Sequence, residues 1–290
     1  MVYLQSTIAK NKSLRQTGPR ELVDLPHHSQ LKEDINHCLD VWTQLLRATC
    51  PDLEYLYAKG SALKPWQSLI DYVPMISDVD LHLKLPSGRD LFDGTSQAVT
   101  TAADLATQYT TIFTESHPDH YHLPRPQLMV LTPERLQDFV PPLAKQITML
   151  HGEPKLGNLP APEVIRQVDR QHLQEDAAYM SRLPEMLVDR VGIEFWTIIR
   201  RLTYRVSPAP VRLLSQSSPD PAELWTWNRS RILEELQQQG FDAVAEPYFQ
   251  FYKTGWQVYL DDFMDQELML DMIIQGYQVI TQALALLDPA

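Results

Sequence analysis

Two aspartates one residue apart, Asp78 and Asp80, stand in the run 77–85 (SDVDLHLKL), where polar and apolar residues alternate more regularly than anywhere else in the chain. Side chains at i and i+2 of an extended strand share a face. Asp78, Asp80, His82 and Lys84 therefore point one way, and Val79, Leu81, Leu83 and Leu85 the other. Two carboxylates so close repel each other unless a cation lies between them or one takes up a proton. A hard ion such as Mg²⁺, which favours one or two carboxylates together with phosphate oxygens, suits that pair. Upstream, residues 53–58 (LEYLYA) read as a strand that ends at Lys59-Gly60-Ser61. A turn of this kind lets backbone N–H groups and a hydroxyl approach a phosphate. Lys59 and Lys64 flank it with ammonium groups that could meet a triphosphate. A side chain at Gly60 is expected to obstruct such a ligand before it disturbs the core.

Other chemistry-bearing residues carry blander readings. His82 continues the acidic strand face and is placed at the site edge rather than on a metal. His117, His120 and His122 cluster in HPDHYH, but no cysteine or acid stands at a zinc-like spacing around them, so an exposed loop is the expectation. The stretch 225–228 (WTWN) and the aromatics Tyr248, Phe249, Phe251, Tyr252 and Trp256 read as the core of a helical bundle.

The whole chain bounds what such a site can serve. Lys and Arg number 25 against 37 for Asp and Glu, a formal charge of −12 over 290 residues. That surface repels a polyanion, which argues against a dedicated nucleic-acid binder. Hydrophobic residues at 44% and charged residues at 21% give a globular balance and exclude a disordered scaffold. Two cysteines, Cys38 and Cys50, cannot build a disulfide framework and suit a reducing cytoplasm. No early apolar run resembles a signal peptide. The most apolar stretch, 268–287, is interrupted by Asp271, Gln275, Gln278 and Gln282, which makes bilayer insertion costly. A cytoplasmic protein without a membrane partner is expected.

The elements that must position the aspartates divide the chain in two. A helix from Ser29 to Ala48 precedes the first strand, a helix from about Thr95 to Ser116 follows the second, and 126–131 (PQLMVL) reads as a third strand. The first 28 residues carry no sustained periodicity and read as mobile. Helical patterns then cover 161–183, 184–205, 221–239 and 255–287, with Pro184 and the 207–210 stretch (SPAP) as breaks. The Gly- and Pro-punctuated segment 152–162 is the seam. The expected fold is α+β: a small mixed-sheet domain over 1–160 and an all-α helical bundle over 161–290.

Tyr57-Ala58-Lys59-Gly60-Ser61 followed by Ser77-Asp78-Val79-Asp80-Leu81 resembles the signature of the nucleotidyltransferase (DNA polymerase β-like) superfamily. With a helical bundle behind it, the layout is most similar to the aminoglycoside nucleotidyltransferases. The spacer, residues 62–77, is longer than that family's usual one. The resemblance implies transfer of a nucleoside monophosphate from a nucleoside triphosphate to a hydroxyl of a small-molecule or protein acceptor. It implies Mg²⁺ on Asp78 and Asp80 as catalytic residues, and triphosphate binding by Gly60, Ser61, Lys59 and Lys64. One departure matters. The family's third carboxylate falls at Gln127, at the site edge, and an amide cannot take a proton. Glu115 and Asp119 lie nearby in sequence as substitutes. The alternative is a catalytically degenerate relative that acts as a nucleotide-binding or protein-interaction module.

Overall fold

Strand β1 (Tyr55–Lys59) and strand β2 (Val79–Lys84) pair antiparallel at the centre of a four-stranded mixed sheet. Strand β3 (Pro126–Val130) runs parallel to β2 on one side, and β4 (Thr148–Gly152) runs antiparallel to β1 on the other, giving the order β3-β2-β1-β4. The structure, a computed structural model, describes residues 28–136, 139–154 and 156–287. Nearly all of the segment expected to be mobile, residues 1–27, lies outside them.

The period-two pattern of β2 does what period two requires. Val79, Leu81 and Leu83 are fully buried and share a core with the apolar stripe of helix α1 (His28–Thr49), which includes Leu31, Ile35, Leu39, Trp42 and Leu46. Helix α2 (Ser96–Ser116) adds Leu105, Tyr109 and Phe113. It begins where the Thr95 hydroxyl accepts the Ala98 N–H at 3.2 Å, an N-cap that satisfies one of the free donors of a first turn. Strand β4 has no counterpart among the expected strands. It is an edge strand with Thr148 and Met149 exposed, and without a buried face it carries no alternation to read.

The second half is helical throughout, in helices α3 (Pro162–Val188), α4 (Phe195–Val206), α5 (Ala209–Ser215), α6 (Pro221–Leu224), α7 (Arg229–Gln238), α8 (Asp242–Leu260) and α9 (Gln266–Leu287). Several expected boundaries moved. Helix α3 runs through Pro184, because losing one ladder hydrogen bond is outweighed where Met180 and Leu183 hold that face in the core. The 221–239 pattern is split because the Asn228 side chain accepts the Arg231 N–H at 2.8 Å and starts a new helix. The 255–287 pattern covers only the end of α8, which already starts at Asp242, and then α9. Asp262 and Phe263 take positive φ of 57° and 60°, and the Asp265 carboxylate caps α9 by accepting the N–H groups of Glu267 and Leu268 at 2.8 and 3.2 Å.

The two halves share one core. Gly255 of α8 sits where a Cβ would lie 3.3 Å from Ile76 and 3.6 Å from Val73, and the Trp256 indole N–H donates to the Leu69 carbonyl at 2.7 Å. Helix α9 has the length and composition of a membrane span. Its Met269, Met272, Ile273, Val279, Ile280 and Ala283 are buried against the other helices.

The histidine cluster is not an exposed loop. The Asp34 carboxylate is fully buried and accepts from His122 Nδ1 at 2.7 Å, from the His122 N–H at 2.9 Å and from the Tyr121 N–H at 3.1 Å. Nε2 of His117 lies 2.9 Å from the same carboxylate, and the Tyr72 hydroxyl lies 2.8 Å from His122 Nε2. Burial lowers the His122 pKa. The hydrogen bonds and charge of His122 outweigh burial and lower that of Asp34. The partner that turns HPDHYH inward lies 83 to 88 residues away, so the local sequence gave no sign of it.

Candidate active site

A cavity of about 740 Å³ opens between the sheet and the helices, and Lys59, Gly60, Ser61, Lys64, Asp78, Asp80 and Gln127 all line it. Strand pairing brings these residues together. Lys59 pairs with Asp80 across β1 and β2, and Asp80 pairs with Gln127 across β2 and β3. Paired residues share a face of the sheet, so Asp80 stands between an ammonium stem and an amide. Asp78 lies just before β2, and its carboxylate takes the Arg125 guanidinium at 3.1 Å. Arg125 also donates to the Tyr204 hydroxyl of α4 at 3.1 Å, which receives Arg200 at 3.0 Å as well. Neither Arg125 nor Tyr204 was singled out in the sequence, since an arginine ahead of a strand carries no signature.

Gly60 bears on Asp80 directly. Its φ is +93°, a conformation that side chains disfavour, and a Cβ there would lie 2.1 Å from Asp80 Oδ2. The expectation that a side chain at Gly60 obstructs a ligand first is therefore corrected. It would meet one of the acids before any ligand arrived, and it would strain the turn as well. The turn is further held by the Leu63 N–H on the Gly60 carbonyl at 3.2 Å and by the Trp66 indole N–H on the Ser61 carbonyl at 2.9 Å.

Burial raises the Asp80 carboxyl to about 7, and the Asp78 charge beside it acts in the same direction, while Lys59, Arg125 and Lys64 oppose them. Asp80 thus holds a proton readily near neutral pH, as a desolvated carboxyl beside a like charge does. The Lys64 ammonium is brought down to about 8 by burial and then by Arg229 and Lys59. It donates to the Trp227 carbonyl at 2.8 Å, so the helical half holds it beside the turn. His82 does not line the cavity. It is buried one pair further along, with Nδ1 3.1 Å from the Tyr57 hydroxyl and its ring 5.7 Å from Phe139, and burial takes it down to about 3. That ring is neutral at physiological pH and packs beneath the site.

The acids near the dyad answer the question of a third carboxylate. Glu115 and Asp119 are exposed and line no part of the cavity. Asp71 does line it, but its oxygens are occupied by the N–H groups of Gln67, Ser68 and Ser230 and by the Ser230 hydroxyl, at 2.7 to 3.0 Å. Asp169 lies with His172 and Arg212 on the helical wall. Among the described residues no cluster of three or more His, Cys, Asp or Glu could hold a metal. Two carboxylates that face one cavity remain a fit for Mg²⁺, which completes its shell with phosphate oxygens and water. Phe251 and Trp256 are buried in the bundle core as expected and Phe249 is half-buried; Tyr248 and Tyr252 are buried as well but line the cavity together with Trp225 and Trp227. No protein-family model, curated protein or solved structure matches this chain.

Proposed function

We propose that the chain is a Mg²⁺-dependent nucleotidyltransferase of the DNA polymerase β-like type, acting in the cytoplasm on a hydroxyl of a small-molecule or protein acceptor. One observation carries the reading: Asp78 and Asp80 face the cavity that the Gly60-Ser61 turn lines, with Gly60 set against the Asp80 carboxylate. In this reading Asp78 and Asp80 hold the ion, and Gly60, Ser61, Lys59 and Lys64 meet the triphosphate. When bound, Mg²⁺ supplies charge neutralisation to the attacking and leaving oxygens of an in-line displacement. The acceptor oxygen forms a bond to the α-phosphorus as its proton passes to water, the bond to the bridging oxygen breaks, and pyrophosphate leaves. The helical wall, with Trp225, Thr226 and Arg212, shapes the far end of the cavity for the acceptor.

Titration calorimetry with each nucleoside triphosphate, with and without Mg²⁺, tests this reading. Mass spectrometry of small hydroxyl acceptors, and of the protein itself, follows. Mg²⁺-dependent binding of at least one triphosphate and an added nucleoside monophosphate are expected. Absence of binding for all of them sinks the proposal.

A second reading has its own observation. Gln127 pairs with Asp80 in the place where a third carboxylate would act, and an amide cannot accept the acceptor's proton. Binding without transfer is the outcome that favours a nucleotide-binding or protein-interaction module. The Gln127→Glu variant separates the two further. A positioned general base contributes about 10²–10⁴-fold, and a transplanted one is expected to raise turnover by about tenfold with nucleotide affinity nearly unchanged. A rate that does not rise places the proton elsewhere.

A further inference from the structure

We infer that Arg229, at the start of α7, is a positioning residue that locks the Gly-Ser turn and the first aspartate into one geometry, so that the site is incomplete without the helical half. The role rests on the nucleotide-site reading of Gly60, Ser61, Asp78 and Asp80.

Arg229 is buried at 7% exposure. Nη1 donates to the Ile70 carbonyl at 2.9 Å, to the Asp71 carbonyl at 3.2 Å and to the Ser77 hydroxyl at 2.9 Å, while Nη2 reaches the Ser61 hydroxyl at 3.4 Å. Ser77 immediately precedes Asp78, and Ser61 immediately follows Gly60. One guanidinium therefore spans the two ends of the spacer whose unusual length set this chain apart. Its guanidinium carbon lies 4.0 Å from the centre of the Tyr252 ring, which holds the fork from behind. The residues around it bind the same spacer. Asn228 donates to the Pro65 carbonyl at 2.8 Å, Ser230 donates twice to Asp71 at 2.8 and 2.9 Å, and the Trp227 carbonyl takes Lys64 at 2.8 Å. Four consecutive residues of the helical half thus organise residues 64–77 by hydrogen bonds rather than by apolar contact alone. Arginine is required because a planar fork can serve several acceptors at once, whereas lysine offers a single ammonium on a flexible stem.

The test compares wild type, Arg229→Lys and Arg229→Met in the full chain by two readouts. Without ligand, hydrogen exchange of residues 61–77 is expected to speed up by about tenfold in both variants, while β1 and β2 stay protected. With Mg²⁺ and the triphosphate that the wild type binds, both variants are expected to lose about tenfold in affinity, since keeping the charge without the fork does not restore the geometry. Lysine that binds like the wild type would show that charge alone matters and overturn the role. Exchange that rises equally across α7 and α8 would overturn it too, because it marks a general structural part. Should Arg229→Met fail to fold, Arg229→Gln, whose single amide cannot span Ser61 and Ser77, must loosen the same segment. A wild type that binds no triphosphate sinks the transferase reading instead, and the exchange comparison alone then decides the role of Arg229.

Discussion

Replacing Gly60 by alanine is expected to weaken Mg²⁺-dependent triphosphate binding about 10²-fold and to lower stability, two effects with separate causes. The backbone at Gly60 has φ +93°, and forcing an L side chain into so sparsely populated a region costs about 1–3 kcal/mol. The new methyl would also lie 2.1 Å from Asp80 Oδ2 and 3.1 Å from its Cγ, so the carboxylate must swing away from the cavity. A displacement of about 1 Å at a reacting centre can cost about 10²-fold, and the affinity loss is expected to be of that order. A four-protein cycle separates the causes. In Gly60→Ala combined with Asp80→Ala the clash is gone and only the backbone strain remains. The double variant is therefore expected to be less destabilised than the sum of the singles, as read from urea unfolding. Additive effects would mean that Gly60 and Asp80 do not meet.

The Asp80→Asn variant should move stability and binding in opposite directions. Burial and the Asp78 charge hold the Asp80 carboxyl at about 7 in the folded chain, against about 3.9 for an unfolded aspartate. Between those values the folded state binds more protons than the unfolded one, so stability falls as pH rises through that window and levels off above it. Each pH unit within it removes up to about 1.4 kcal/mol from the wild type, and asparagine has no such loss. In EDTA the two proteins are expected to melt together near pH 4. At pH 8 the variant should melt several degrees higher, at about 2–4 °C per kcal/mol for a chain of this size. The same variant should lose most Mg²⁺-dependent triphosphate affinity, because an amide is a poor ligand for a hard ion. Scanning fluorimetry from pH 4 to 8 and calorimetry with Mg²⁺ read the two effects. Equal pH dependence in both proteins would show that Asp80 is neither desolvated nor opposed by a like charge.

The residues that the sequence points to most firmly are those whose geometry is local. Alternation along 77–85 is enough to put Asp78 and Asp80 on one face and Val79, Leu81 and Leu83 in the core, because side-chain direction in a strand repeats every two residues. The helix that begins near Thr95 and the strand that ends at Lys59-Gly60 are legible because their signals are local too. Even Gln127 follows from local pattern plus one pairing, since a parallel neighbour in register places it opposite Asp80. Proline rules failed at Pro184 because they describe an isolated helix, and burial of Met180 and Leu183 outweighs one missing hydrogen bond. What the tertiary structure alone decided are contacts between residues far apart in the chain. Arg229 reaches residues 152 to 168 positions earlier, Asp34 turns His122 inward across 88, and Arg125 takes Asp78 across 47. Each is a charged or polar group wholly or partly buried with a specific partner, and its own neighbours in sequence read as ordinary surface. Periodicity records which face a residue shows, whereas which groups meet across that face is settled only when the core closes and every buried donor must find an acceptor.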